Sequence, residues 1–161
     1  MFEFLTWLEG SALGEAMRGM GVWSYGVFNL AHILGISTLF GSVLLIDLRL
    51  LGLWPGVAIR SIAGPAIPLA ATGFVLAALS GICMISTNAT EYEGNPFILI
   101  KFPAIALGLL NVALVSGMSA WKSARRREPS RRERGQLAVA GGTSLACWLT
   151  AVAAGRMIGY W

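Results

Sequence analysis

VWSYGVFNLAHILGISTLFGSVLLI, which is residues 22–46, contains no Asp, Glu, Lys or Arg. The run ends at Asp47-Leu48-Arg49, where charge returns. A helix that crosses the hydrocarbon core of a bilayer needs about 20 predominantly apolar residues. Residues 22–46 therefore predict a transmembrane helix.

Three further apolar stretches have the same length, at 66–87, 97–119 and 137–159. Each follows a boundary signal, which is Gly64-Pro65 for the first, Asn95-Pro96 for the second and a charged run for the third. Across 161 residues the hydrophobic fraction is 56% and the charged fraction 12%, outside the range of soluble domains. We therefore predict an all-α membrane protein with a single domain over residues 1–161, built as a four-helix transmembrane bundle with antiparallel neighbours.

The N-terminal segment and the charge distribution predict how the bundle lies in the membrane. Residues 1–20 alternate apolar with acidic and small side chains, which indicates an interfacial amphipathic helix. Seven of the twelve Lys and Arg residues lie in the 122–134 block. By the positive-inside rule this loop is cytoplasmic and both termini are outside, in a bacterial inner (plasma) membrane. Trp54 and Trp121 would mark the inner interface.

The position of the basic block also indicates its partner. Because it directly follows an apolar span, it is better explained by anionic lipid headgroups than by nucleic acid. The expected partners are the lipid bilayer together with further copies of the chain or other subunits of a membrane complex.

His32 is the only histidine, and it lies deep in the first span. It shares one helical stripe with Tyr25, Asn29 and Asp47, and polar side chains in a span are expected to face the bundle interior. A neutral imidazole is a suitable ligand for a metal or a haem iron. The alternative is an interior histidine that hydrogen-bonds a neighbouring helix.

Two cations lie near the predicted outer ends of the third and fourth spans, Lys101 and Arg156. They could snorkel to the headgroups, or they could be neutralised by Glu91 and Glu93. As a third possibility they could clamp an anion such as a propionate, a carboxylate or a quinone oxygen above His32.

Several short motifs carry a resemblance that covers nearly the whole chain. They are Ala31-His32-Ile33-Leu34-Gly35, Asp47-Leu48-Arg49-Leu50-Leu51-Gly52, Gly94-Asn95-Pro96-Phe97 with Lys101, and Ala154-Gly155-Arg156. With them the chain resembles an uncharacterised family of small four-span bacterial membrane proteins. It is more distantly similar to HemJ-type protoporphyrinogen oxidases and CopD-type copper-resistance membrane proteins. The HemJ resemblance implies a b-type haem associated with His32 and Lys101.

Two functional classes follow. The first is an electron-transfer subunit with a polar site in the outer half of the membrane, in which His32 ligates the iron of haem b or contacts a quinone while Lys101 and Arg156 bind the anionic groups. The second is a cofactor-free accessory or structural subunit of a larger membrane complex. Copper handling is disfavoured because no Met or His cluster accompanies His32.

Overall fold

The computed structural model describes residues 2–161, except for the side chains at positions 22 and 24, so Met1 of the predicted 1–20 helix lies outside the described residues. Seven α-helices follow one another: α1 (Phe2–Glu9), α2 (Ala12–Gly19), α3 (Val22–Leu50), α4 (Ile59–Thr87), α5 (Pro96–Gly117), α6 (Ser119–Ala124) and α7 (Arg131–Met157). Short 3₁₀ turns occupy Ala89–Tyr92 and Ile158–Tyr160. Within residues 2–161 there is no strand.

Four of these helices, α3, α4, α5 and α7, are long and apolar enough to cross a membrane. The predicted fold class is therefore confirmed: the chain is an all-α, multi-pass integral membrane protein with the helices of a four-helix membrane bundle.

The helices extend beyond the apolar runs that predict them. α4 begins at Ile59, so Pro65 and Pro68 lie inside it instead of marking its start. α7 begins at Arg131 because Ser130 and Glu133 form a reciprocal capping box, each side chain bonding the other residue's backbone N–H. The helices are longer than the apolar runs because the backbone N–H groups of a polar first turn can be satisfied by capping side chains and water outside the hydrocarbon core.

The N-terminal segment forms two helices where the sequence predicts one. The backbone turns at Gly10-Ser11, and the Ser11 side chain accepts a hydrogen bond from the backbone N–H of Gly14 at the start of α2. A serine at this position caps a new helix more readily than it continues the preceding one.

The chain divides into two compact units. The first contains the described residues up to Leu39 together with Ala71–Pro96. Within it α3 and α4 run antiparallel and touch through small residues: a Cβ added at Gly35 would lie 2.6 Å from the backbone N of Ala77, and one added at Gly73 would lie 2.5 Å from that of Leu39. Such close backbone approach is possible only with glycine.

The N-terminal helices dock onto the far end of α4 in the same unit. The Glu9 carboxylate accepts hydrogen bonds from the backbone N–H and hydroxyl of Thr90, at 2.8 and 2.7 Å. These bonds hold the pKa of Glu9 below its usual 4.5. The Arg18 guanidinium donates to the carbonyls of Thr87 and Glu9. The segment is therefore tied to the protein as well as being amphipathic.

The second unit contains Phe40–Ala70 and Phe97–Trp161. Its core includes Leu50, Ile59, Leu137 and Trp121. Trp121 is only 8% exposed, and its ring packs in this core. Elsewhere in this unit the Trp148 ring of α7 packs over Gly108 of α5.

Candidate functional site

His32 of α3 is held by α4 within the first unit. Its Nδ1 lies 2.8 Å from the carbonyl oxygen of Ala77 and 3.2 Å from the hydroxyl oxygen of Ser80. The imidazole is half-buried, whereas Ser80 is 3% exposed. The polar stripe predicted for α3 thus points His32 at the neighbouring helix, while Tyr25 of the same stripe is 38% exposed.

These contacts define the tautomer of His32. A carbonyl oxygen only accepts, so the Nδ1 that faces Ala77 carries the proton. The single hydroxyl proton of Ser80 points to the carbonyl of Leu76 at 2.6 Å, which leaves the Ser80 oxygen to accept from Nδ1. In the neutral imidazole the lone pair is then on Nε2. Fixing one ring N–H on a backbone carbonyl is how metal-binding histidines are oriented in proteins.

Glycine at position 81 makes room for the ring. A Cβ added at Gly81 would lie 2.9 Å from Cε1 of His32 and 3.3 Å from Nδ1. Gly73, Ala77 and Gly81 recur at intervals of one helical turn, so one face of α4 consists of small residues along its contact with α3. The ring and the close helix contact therefore depend on the same face of α4.

Lys101 and Arg156 belong to the second unit. Lys101 of α5 is half-buried, and its Nζ would lie 3.4 Å from a Cβ added at Gly155 of α7, the residue before Arg156. Arg156 is exposed. Its guanidinium hydrogen-bonds the Tyr160 hydroxyl and lies 4.6 Å from the centroid of the Tyr160 ring. Lys101 thus lies against α7 beside Gly155, whereas the Arg156 side chain is directed along its own helix toward Tyr160.

Asp47 is a polar group whose surroundings the sequence does not reveal. It is 3% exposed, and the Ser144 side chain hydrogen-bonds its carboxyl group. Its second oxygen, Oδ2, has no hydrogen-bond partner among the described residues. Arg49 does not pair with it, because that guanidinium donates to the carbonyls of Val57 and Pro55. An ion pair between Asp47 and the basic loop, the usual explanation for such a residue, is absent from residues 2–161.

Sequence analysis missed the partners Ser80, Gly81 and Ser144. The small residues of α4 were visible as a pattern that permits close contact. Their pairing with His32 depends on the register between α3 and α4, which periodicity within one helix does not define. Among the described residues no group of three or more His, Cys, Asp or Glu side chains could hold a metal ion.

Comparisons with family models, with curated proteins and with solved structures find no match to this chain.

Proposed function

We propose that this chain is an integral membrane subunit that binds b-type haem through His32 and takes part in electron transfer. The observation that carries the proposal is the Nδ1–H of His32 donated to the Ala77 carbonyl inside a membrane span. This contact orients the ring and places a proton on Nδ1, so that in the neutral imidazole the lone pair on Nε2 would be the group that binds a haem iron.

His32, the one histidine of the chain, is the residue that would hold such a group. A bound haem would supply one-electron redox chemistry. Nε2 of His32 would hold the iron, while Ala77 and Ser80 keep the ring from rotating. Lys101 and Arg156 are the cations available to pair with propionates, which would favour the reduced state.

A quinone is the other redox partner that this chemistry accommodates, with Nε2 of His32 accepting a hydrogen bond from the quinol hydroxyl. The resemblance to HemJ-type proteins supports the haem version of the proposal.

The test is the absorption spectrum of the detergent-purified protein. We expect a Soret band in the wild type that is lost in His32→Ala while the helical circular dichroism is retained. Asn29→Ala is the matched control, because it removes a half-buried polar side chain about one turn away on the same helix. A wild-type protein without a Soret band or a co-extracted quinone refutes the redox proposal. A band that survives in His32→Ala refutes the role of His32.

A second candidate is a cofactor-free accessory subunit of a larger complex, and α5 favours it. Only 11% of its apolar window is buried within this chain, against 22% to 39% in the other three. It exposes Leu99, Phe102, Leu107, Leu110 and Leu114. Such a surface suits lipid or a partner helix. Cysteine substitution at Leu107 and Leu110 with crosslinking in intact membranes tests this candidate: crosslinked products combined with no Soret band support it, and monomer alone refutes it.

The proposed setting is a bacterial inner membrane with both termini outside and the 122–134 block in the cytoplasm. Charge asymmetry supports this orientation. A cysteine introduced as Glu93→Cys should react with an impermeant thiol reagent in intact spheroplasts, whereas Arg132→Cys should react only after lysis. Both positions are exposed. The opposite labelling pattern refutes the orientation.

A further inference from the structure

One end of the second unit contains a cavity of about 160 Å³. It lies where α4 begins and where the segment after α6 crosses toward α7. Its charged lining consists of Arg49, Arg60, Arg125, Arg126, Arg127 and Glu128. We call it the arginine cavity.

The charge in this cavity is only partly compensated. Arg127 is neutralised by Glu133, with 2.8 Å between Nη2 and Oε1. Glu128 is the one carboxylate in the lining. The other four arginines make no ion pair with any of the residues 2–161. The arginine cavity thus carries a net positive charge, which attracts an anion.

Arg49 is the fixed member of this set. It is only 8% exposed, and its guanidinium donates from Nε to the Val57 carbonyl at 2.6 Å and from Nη2 to the Pro55 carbonyl at 3.2 Å. Neutral carbonyl oxygens hold the side chain in place without cancelling its charge. Burying an uncompensated guanidinium carries a desolvation cost, and a bound anion would offset that cost.

The start of α4 adds to the positive electrostatic potential of the arginine cavity. Ala58, Ile59 and Arg60 line the cavity, and Ile59 is the first residue of a long helix. Backbone N–H groups in the first turn of a helix carry partial positive charge and favour phosphate groups. Guanidinium groups and a helix start are the two devices with which proteins most often bind phosphate.

We propose that the arginine cavity binds the phosphate of an anionic phospholipid headgroup. A cavity of about 160 Å³ is large enough to admit a phosphate group. The adjoining loop exposes Leu51, Leu53 and Trp54, apolar side chains that belong beside acyl chains at the membrane interface. An anionic lipid would contact the arginines with its phosphate and the exposed apolar side chains with its acyl chains, whereas free phosphate would contact only the arginines. This proposal is independent of the one for His32.

Native mass spectrometry of the full-length protein tests it, with phosphatidylglycerol and phosphatidylcholine titrated as probes. The test variant is Arg60→Gln with Arg126→Gln. The matched control is Arg131→Gln with Arg132→Gln, which removes the same charge from exposed positions in the same basic run but outside the cavity. We expect phosphatidylglycerol to bind more tightly than phosphatidylcholine. The two substitutions in the cavity, Arg60→Gln with Arg126→Gln (the cavity pair), should weaken phosphatidylglycerol binding at least about tenfold more than the control pair does.

Three outcomes would overturn the proposal. Equal weakening by both pairs would mean diffuse attraction to the basic block and no site. Equal affinity of the wild type for the two lipids would show that binding does not require an anionic headgroup. Displacement of phosphatidylglycerol by millimolar inorganic phosphate, at constant ionic strength, would identify free phosphate as the ligand. If the cavity pair does not fold, Arg126→Gln alone, at an exposed position, is measured against Arg132→Gln under the same criterion.

Discussion

Gly35→Ala should separate α3 from α4. The added Cβ would lie 2.6 Å from the backbone N and 3.0 Å from both Cα of Ala77 and the Gly73 carbonyl. Ordinary contact begins near 3.4 Å, so the two helices must move apart by about 0.8 Å. A gap of 0.5–1 Å forfeits roughly a quarter to a half of the dispersion energy across the contact. We expect a loss of about 1–3 kcal/mol in the free energy of unfolding, the usual range for overpacking.

Gly26→Ala is the matched control, because it lies in the same helix and a Cβ there has no neighbour within 4 Å. Replacing glycine with alanine at an open helical position stabilises by up to about 1 kcal/mol. Reversible unfolding in mixed detergent micelles, followed by circular dichroism, measures both variants. If Gly35→Ala is as stable as Gly26→Ala, the backbones of α3 and α4 do not approach as closely as the 2.6 Å contact at Gly35 requires. The same displacement should weaken the bond from His32 to the Ala77 carbonyl, at present 2.8 Å long.

Two further predictions concern carboxyl groups. Asp47→Asn should leave the free energy of unfolding equal to or about 1 kcal/mol above that of the wild type, because it replaces a buried carboxyl group that has an unpaired oxygen. A loss of about 3 kcal/mol or more in detergent unfolding would instead reveal a cationic partner. The lowered pKa of Glu9 means that its bonds to Thr90 stabilise the docked N-terminus above pH 4.5 and are lost as the pH falls through the folded-state value. Hydrogen-exchange protection of α1 should fall over that acidic range in the wild type and in the control Glu3→Gln. In Glu9→Gln the protection of α1 should already be low at pH 6. Identical protection of α1 in all three proteins at pH 6 would contradict this prediction.

The number and type of long helices could be predicted from the sequence because membrane insertion depends on local apolar length. Residues 22–46 and the three similar runs carry that information directly. Helix ends were less predictable. The start of α7 depends on a capping box at Ser130, and the break after Glu9 depends on which helix Ser11 caps. Both are interactions of single side chains that average hydropathy does not record.

The surroundings of individual polar residues could not be predicted, because they depend on register between helices. The residue type of Trp121 predicts an interfacial aromatic, but it does not reveal that the ring belongs to the core cluster that contains Leu137 and Ala63. Arg49 marks the end of the first apolar run, and the sequence does not reveal that its guanidinium binds the loop carbonyls of Val57 and Pro55. For His32 the helix and the face were predictable, whereas the identity of Ala77 and Ser80 as its acceptors was not.

A packing role and a ligand role make different demands on His32. A bond across two helices requires only a donor at the position of Nδ1, and the carbonyl of Ala77 would accept equally from an asparagine amide. A ligand requires in addition the lone pair that this bond leaves on Nε2, which no amide nitrogen provides. Gly81 is needed in either case, since the ring occupies the space that its Cβ would take. The contacts with α4 therefore account for the orientation of the imidazole, and binding of an iron by Nε2 is what would separate a redox subunit from a purely structural one.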